Sequence, residues 1–124
     1  MLKLQICMPY DLHERTTIFA RNVRILLRKI PVTISSIEDG KQLIRLSGSV
    51  GANYLEGNES LGGKDLIYRF KIARKEAKES SFWLQLIDTG LNIDLEKERL
   101  RLCEEAIELI KILSSIINKI GSRK

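Results

Sequence analysis

The side chains equipped for covalent or metal chemistry are few and far apart in this sequence. His13 is the single histidine. No cysteine or serine stands near it in the pattern of an activated nucleophile, so it reads as a surface residue beside a helix start. Cys7 and Cys103 each lack a Cys-x-x-Cys partner, which argues against zinc and against a disulfide framework. Glu56, Glu76 and Glu79 offer carboxylates for a metal. The Glu-x-x-His spacing of di-iron bundles is missing, however, so such a site would have no imidazole. Residues 57–63 hold three glycines but not the Gly-Lys-Ser/Thr ending with which a P-loop cradles phosphate. The expectation is a protein without catalysis, metal or cofactor.

Two other sets of residues carry more. Arg21, Arg24 and Arg28 recur at helical spacing, as do Lys71, Lys75 and Lys78, with Lys64 earlier on the same side. Outward basic strips of this kind track phosphates without reading sequence, so RNA or DNA is the expected partner. The plainer reading is a solvated face, or pairing between subunits with Asp94, Glu96, Glu98, Glu104, Glu105 and Glu108. The second set is a polar seam. Gln42, Arg45, Ser49, Asn53 and Glu56 share one flank of a helix. Asn53 and Glu56 are expected to be buried there, bonded to partners that include Arg45 and Glu79, because a polar seam inside a bundle fixes register and partner. On the other flank, Ile44, Gly48, Gly51 and Leu55 would let a second helix approach closely.

Four amphipathic segments must position these groups. Leu12, Thr16, Phe19, Val23, Leu26 and Ile30 alternate at steps of four and three, with Asp11 as cap and Pro31 as stop. A capping-box spacing at Ser35 and Glu38 opens a second helix whose stripe is Leu43, Leu46, Val50, Asn53 and Gly57. The third presents Leu66, Phe70, Ala73, Ala77, Ser80, Leu84 and Ile87 before Gly90. The fourth presents Leu95, Leu102, Ala106, Leu109, Leu113, Ile116 and Ile120, with Arg99 as the interruption. The spacing predicts helices over 11–30, 36–57, 62–89 and 94–120, an all-α, up-down-up-down antiparallel four-helix bundle. Residues 1–124 form one domain, and 1–10 read as a short N-terminal arm.

Composition sets the outer bounds. The chain has 124 residues, 44% of them hydrophobic, and a net charge of +5. Its length supports a core without disulfide or metal, and its apolar content excludes a disordered chain. No run approaches the ~18 apolar residues that would cross a bilayer. Lys3 and Gln5 interrupt the first apolar stretch and no small-residue cleavage site follows, so no membrane partner and a cytoplasmic location are expected. The third helix also has a second apolar face, Tyr68, Ile72, Trp83 and Leu86, which predicts contact with further copies of the chain. Ile18 and Ile25 on the first helix, and Cys103, Ile107, Ile110 and Ile117 on the fourth, flank their main stripes in the same way.

The stretch 42–84 carries a resemblance. Gln42, Arg45, Ser49, Ala52-Asn53, Glu56-Gly57, Ser60, Ala73 and Glu79, with Asp11-Leu12 at the first helix, resemble the four-helix-bundle proteins encoded in intervening sequences of bacterial large-subunit (23S) ribosomal RNA genes. Many members have a small residue where this chain has Glu76, and Pro or Ala where it has Gly51. The resemblance implies a closed homo-oligomer, a homopentamer where seen. A related bundle is the accessory protein of diversity-generating retroelements, which implies nucleic acid and a reverse transcriptase as partners. The alternative function is a protein-interaction scaffold, or such an accessory protein, with little nucleic-acid binding of its own.

Overall fold

In the computed structural model, which describes residues 11–122, the chain forms four α-helices: α1 (Leu12–Lys29), α2 (Ile34–Asn58), α3 (Gly63–Leu86) and α4 (Ile93–Ser122). The backbones form a square: α1 and α3 each lie close to α2 and α4, and the diagonal pairs stand further apart across a shared core. Short connections make sequential helices antiparallel, giving the expected bundle. No strand occurs among the described residues. The arm expected at 1–10 lies outside them.

The helix ends show where local chemistry overrides pattern. Asp11 caps α1, its Oδ1 accepting from the Glu14 amide at 2.8 Å. Ile30, placed before Pro31, is extended and ends the helix. The start of α2 corrects the expectation of a Ser35 and Glu38 box. Thr33 is the cap, accepting from the Ser36 amide at 3.1 Å, while the Ser36 hydroxyl accepts from the Thr33 amide at 2.8 Å. Ser36 wins because its hydroxyl also donates to the Pro31 carbonyl at 2.8 Å, tying the helix to the turn. α3 stops at Leu86 rather than 89. Ile87 and Thr89 turn inward, and Gly90 and Leu91 take positive φ to reverse the chain. Asn92 then caps α4 by accepting from the Leu95 amide at 3.0 Å.

The core follows the predicted stripes. Every expected α1 position is buried. So are Leu43, Leu46, Val50 and Gly57 on α2, Phe70, Ala73, Ala77, Ser80, Leu84 and Ile87 around α3, and Leu102, Ala106, Leu109 and Leu113 on α4. Two buried hydroxyls satisfy themselves locally: Thr16 donates to the His13 carbonyl, and Ser80 to the Glu76 carbonyl. The last turns of α4 depart from expectation, with Ile117 buried while Ile116 and Ile120 are half-buried. Leu66, Leu95 and Asn53 are also only half-buried.

Helix α2 approaches its neighbours as its missing side chains allow. A Cβ on Gly51 would stand 2.8 Å from Thr16 Oγ1 of α1, and one on Gly57 would stand 2.5 Å from Phe70 Cε1 of α3. The close approach predicted for the Gly48 and Gly51 flank therefore occurs at Gly51, while Gly48 keeps room beside it. In an unconstrained helix, Gly to Ala gains about 1 kcal/mol. At Gly57 overpacking, at about 1–3 kcal/mol, outweighs that gain. Gly57→Ala is thus expected to lower stability by about 1 kcal/mol or more. Gly48→Ala, whose Cβ meets only Arg24 Nη2 at 3.6 Å, should raise stability by about 0.5–1 kcal/mol. Urea melts of both variants check the signs, and a Gly57→Ala protein as stable as Gly48→Ala would refute the close-packing account.

Candidate functional site

The arginines of α1 lie along the groove it forms with α2. Arg21 and Arg28 are exposed, and Arg24 is half-buried between the helices. Its Nη1 donates to the Ala20 carbonyl at 3.1 Å and its Nη2 to the Ile44 carbonyl at 3.5 Å. The groove measures about 580 Å³, with Gly48, Gly51 and Ala52 on the α2 side and no carboxylate in its lining. His13 stands at its end, exposed.

On α3, Lys64, Lys71, Lys75 and Lys78 are all exposed, and Lys75 reaches Glu79 at 4.0 Å. Four of the six acidic residues of α4 are engaged within the chain, while Asp94 and Glu104 are exposed and without an ion pair among the described residues. Glu105 accepts from Arg15 of α1 at 2.7 and 3.0 Å, Glu96 pairs with Arg99, Glu98 with Arg101, and Glu108 with Lys111 at 3.4 Å. Arg21, Arg28, Lys64, Lys71 and Lys78 have no carboxylate partner among the described residues.

The polar seam is only partly assembled. Asn53 is half-buried, its Nδ2 donating to the Ser49 carbonyl and hydroxyl, both at 3.0 Å, and its Oδ1 accepting from Arg69 at 3.2 Å. Glu56 corrects the expectation: it is exposed, bonded neither to Arg45 nor to Glu79. Arg45 is exposed too and donates to Gln42 at 3.0 Å. The seam runs along the rim of the α2 and α3 contact, where long charged side chains reach water at less cost than they would bury. The buried acid is Glu76, 8% exposed and without a hydrogen-bonding or ionic side-chain partner among the described residues. Its place beside Ala77 and Ala73 on the core stripe was the available signal. Arg69 went unnoticed because its partner lies on another helix.

The second apolar face of α3 is also divided. Tyr68 and Leu86 are more than half exposed, whereas Ile72 and Trp83 are half-buried, and Trp83 packs against the core. Phe82, more than half exposed and edge-on to Trp83 at 5.3 Å, is the aromatic that points outward. Helical spacing placed Trp83 a full face away from the core, but its large ring spans the distance back.

A cavity of about 450 Å³ at the turn between α3 and α4 contains Glu96 and Arg99. Arg99, the interruption in the α4 stripe, donates to the Leu84 carbonyl at 3.0 Å and so closes the end of α3. Hydrogen bonds from Arg99, and then from Thr89 at 2.9 Å, hold the Glu96 carboxyl down at about 2. Cys103 is half-buried and burial pushes its thiol up, leaving it a poor nucleophile. Among the described residues no three His, Cys, Asp or Glu side chains gather as a metal site, and no helix is long and apolar enough to cross a membrane.

The arrangement is therefore a four-helix bundle with a groove that carries three arginines. No family model matches the chain, and no curated protein matches it. A solved structure is similar: a protein from Bacteroides thetaiotaomicron VPI-5482, described as of unknown function and from the S23 ribosomal protein family. The two share 26% identity with a TM-score of 0.70, over 86% of this chain and 98% of that one.

Because the folded Glu96 sits below its ordinary value of about 4.3, its ionised form stabilises the fold fully above that pH. The contribution is lost as pH falls toward about 2. The melting temperature of the wild type should therefore drop more steeply than that of Glu96→Gln across this window, and the two should converge at its acid end. Parallel curves would show that the network leaves stability untouched.

Proposed function

We propose that this protein is a non-enzymatic, homo-oligomeric bundle of the cytoplasm that binds RNA or DNA through its outward basic strips. The observation that carries this reading is the distribution of ion pairs. Four acids of α4 pair with Arg15, Arg99, Arg101 and Lys111, while Arg21 and Arg28 of α1 and Lys64, Lys71 and Lys78 of α3 have no carboxylate partner among the described residues. Cations without partners gain most from phosphate, through counterion release. The likeness to a protein described as from the S23 ribosomal protein family supports the finer reading. On it, the chain is of the kind encoded in 23S intervening sequences and related to the retroelement accessory bundle. Self-association, as a pentamer by resemblance, is supported by exposed Tyr68, Phe82 and Leu86. A ring would multiply the charge of +5 and strengthen its field. The same apolar face favours a second reading, a scaffold that holds a protein such as a reverse transcriptase and binds little nucleic acid itself.

Fluorescence anisotropy with unrelated oligonucleotides of equal length separates the two. Affinity should depend little on sequence and fall steeply with salt, and no binding at low salt would favour the scaffold. Light scattering tests assembly. The wild type should exceed the 14.2 kDa of one chain, and Tyr68→Glu with Leu86→Glu should reduce the mass without loss of helicity, since both residues face outward. A monomeric wild type would overturn the assembly.

A further inference from the structure

We propose that the α1–α2 groove is a phosphate site for one nucleic-acid strand, centred on Arg24, and that the α3 lysines add only general attraction. This rests on the nucleic-acid reading and narrows it to a place. Three features of the groove converge. Its lining holds Arg21, Arg24 and Arg28 and not one carboxylate; Asp11 and Glu14 share an adjoining hollow with Arg21, and no carboxylate lines the groove beside Arg24 and Arg28. Arg24 is half-buried, and its two hydrogen bonds go to backbone carbonyls, leaving a cation held in position without a counter-ion. A half-desolvated guanidinium of this kind favours an anion it can meet with paired N–H groups, and phosphate fits that fork. Third, Gly48 puts no side chain into the groove and keeps room beside Arg24, so a ligand backbone can come close there.

The shape selects among anions. At 1.5 Å of rise per residue, the three arginines span about 10 Å along the helix, which suits successive phosphates of one chain rather than a lone ion. A trough walled by two helices admits one strand lengthwise, whereas a duplex presents a convex surface too broad to enter. Apart from the imidazole of His13 at one end, no aromatic ring lines the groove, so the bases along that strand are not stacked or read. The α3 lysines, in contrast, are flexible point charges on an exposed face, and Lys75 is drawn toward Glu79.

Gly48 supplies the test. A Cβ there stands 3.6 Å from Arg24 Nη2 with nothing else in reach. Gly48→Glu, whose Cβ has room, would place an internal counter-ion beside Arg24, and Gly48→Gln would add the same bulk without charge. The probe is a labelled oligouridylate dodecamer, read by anisotropy across a salt series, with a duplex of equal phosphate count beside it. Gly48→Glu should weaken single-strand binding about tenfold or more while Gly48→Gln weakens it much less. Replacing Arg21, Arg24 and Arg28 by Gln should flatten the salt slope by about 2, three phosphate contacts at about 0.7 each. Duplex should bind more weakly than the single strand.

If Gly48→Glu binds like Gly48→Gln, or if Gln at all four α3 lysines removes binding and Gln at the arginines does not, the groove is not the site, although the wider reading stands. If the wild type binds neither probe at low salt, the wider reading falls with it. If Gly48→Glu changes the mass by light scattering and leaves binding intact, the groove receives acidic side chains of a second copy, and the proposal is overturned in favour of a subunit interface.

Discussion

Helix α2 can come close to both of its neighbours only because it lacks a side chain at each contact, and the shape of the outer surface follows from that constraint. At Gly51 the space of a Cβ is taken by Thr16, and at Gly57 by the ring of Phe70. Packed this tightly, α2 contributes Gly48, Gly51, Ala52 and Leu55 to the trough beside α1. The charge along it comes from what α1 presents there, three arginines. On its other side α2 meets α3 closely enough for Asn53 to reach Arg69. Two glycines thus define one groove of positive charge and one rim of amide and guanidinium contacts.

The electrostatics add direction to this geometry. Exposed ion pairs contribute only about 0–1 kcal/mol each to stability, so those of α4 matter less for holding the bundle together than for where they leave the charge. The pairing of Glu105 with Arg15, and of Glu96, Glu98 and Glu108 within their own helix, locally neutralises the α4 side. The excess of +5 is therefore concentrated on the α1 and α3 sides. A field distributed in this way pulls polyanions toward particular faces rather than to the molecule as a whole.

How much of this could be read from sequence depended on the range of the interaction. Core stripes repeat every three or four residues and were legible nearly to the last turn of α4. Caps are also local, yet the start of α2 was misplaced, because Ser36 gains a third contact, to the Pro31 carbonyl, that a spacing rule does not include. Rim positions were the hardest. Trp83 and Glu56 occupy neighbouring edges of their helices, but ring size folds the first back on the core while charge turns the second to water. The partner of Asn53 lies sixteen residues away on the next helix, so only tertiary structure could reveal it. The groove itself was half legible: helical spacing collected its arginines, but the absence of any carboxylate opposite them depends on how α1 and α2 meet.

The same groove is the feature on which the proposed binding rests. Catalytic sites pair titratable groups whose environments drive them toward opposite roles, one giving and one taking a proton. Here the charged side chains of the lining are all arginines, set among threonines, glycines and the apolar Ala20, Ile25, Ala52 and Leu55, with His13 at one end. The hydroxyls of Thr16 and Thr17 both donate to the His13 backbone carbonyl, and the carboxylates near His13, Asp11 and Glu14, line an adjoining hollow rather than the groove. Three guanidiniums cannot act as bases, because arginine stays protonated in proteins. What like charges in one trough can do is raise the local potential and hold a line of anions. A phosphodiester backbone, which repeats its charge and carries its variable groups to the side, meets that condition without requiring any group in the groove to change its state.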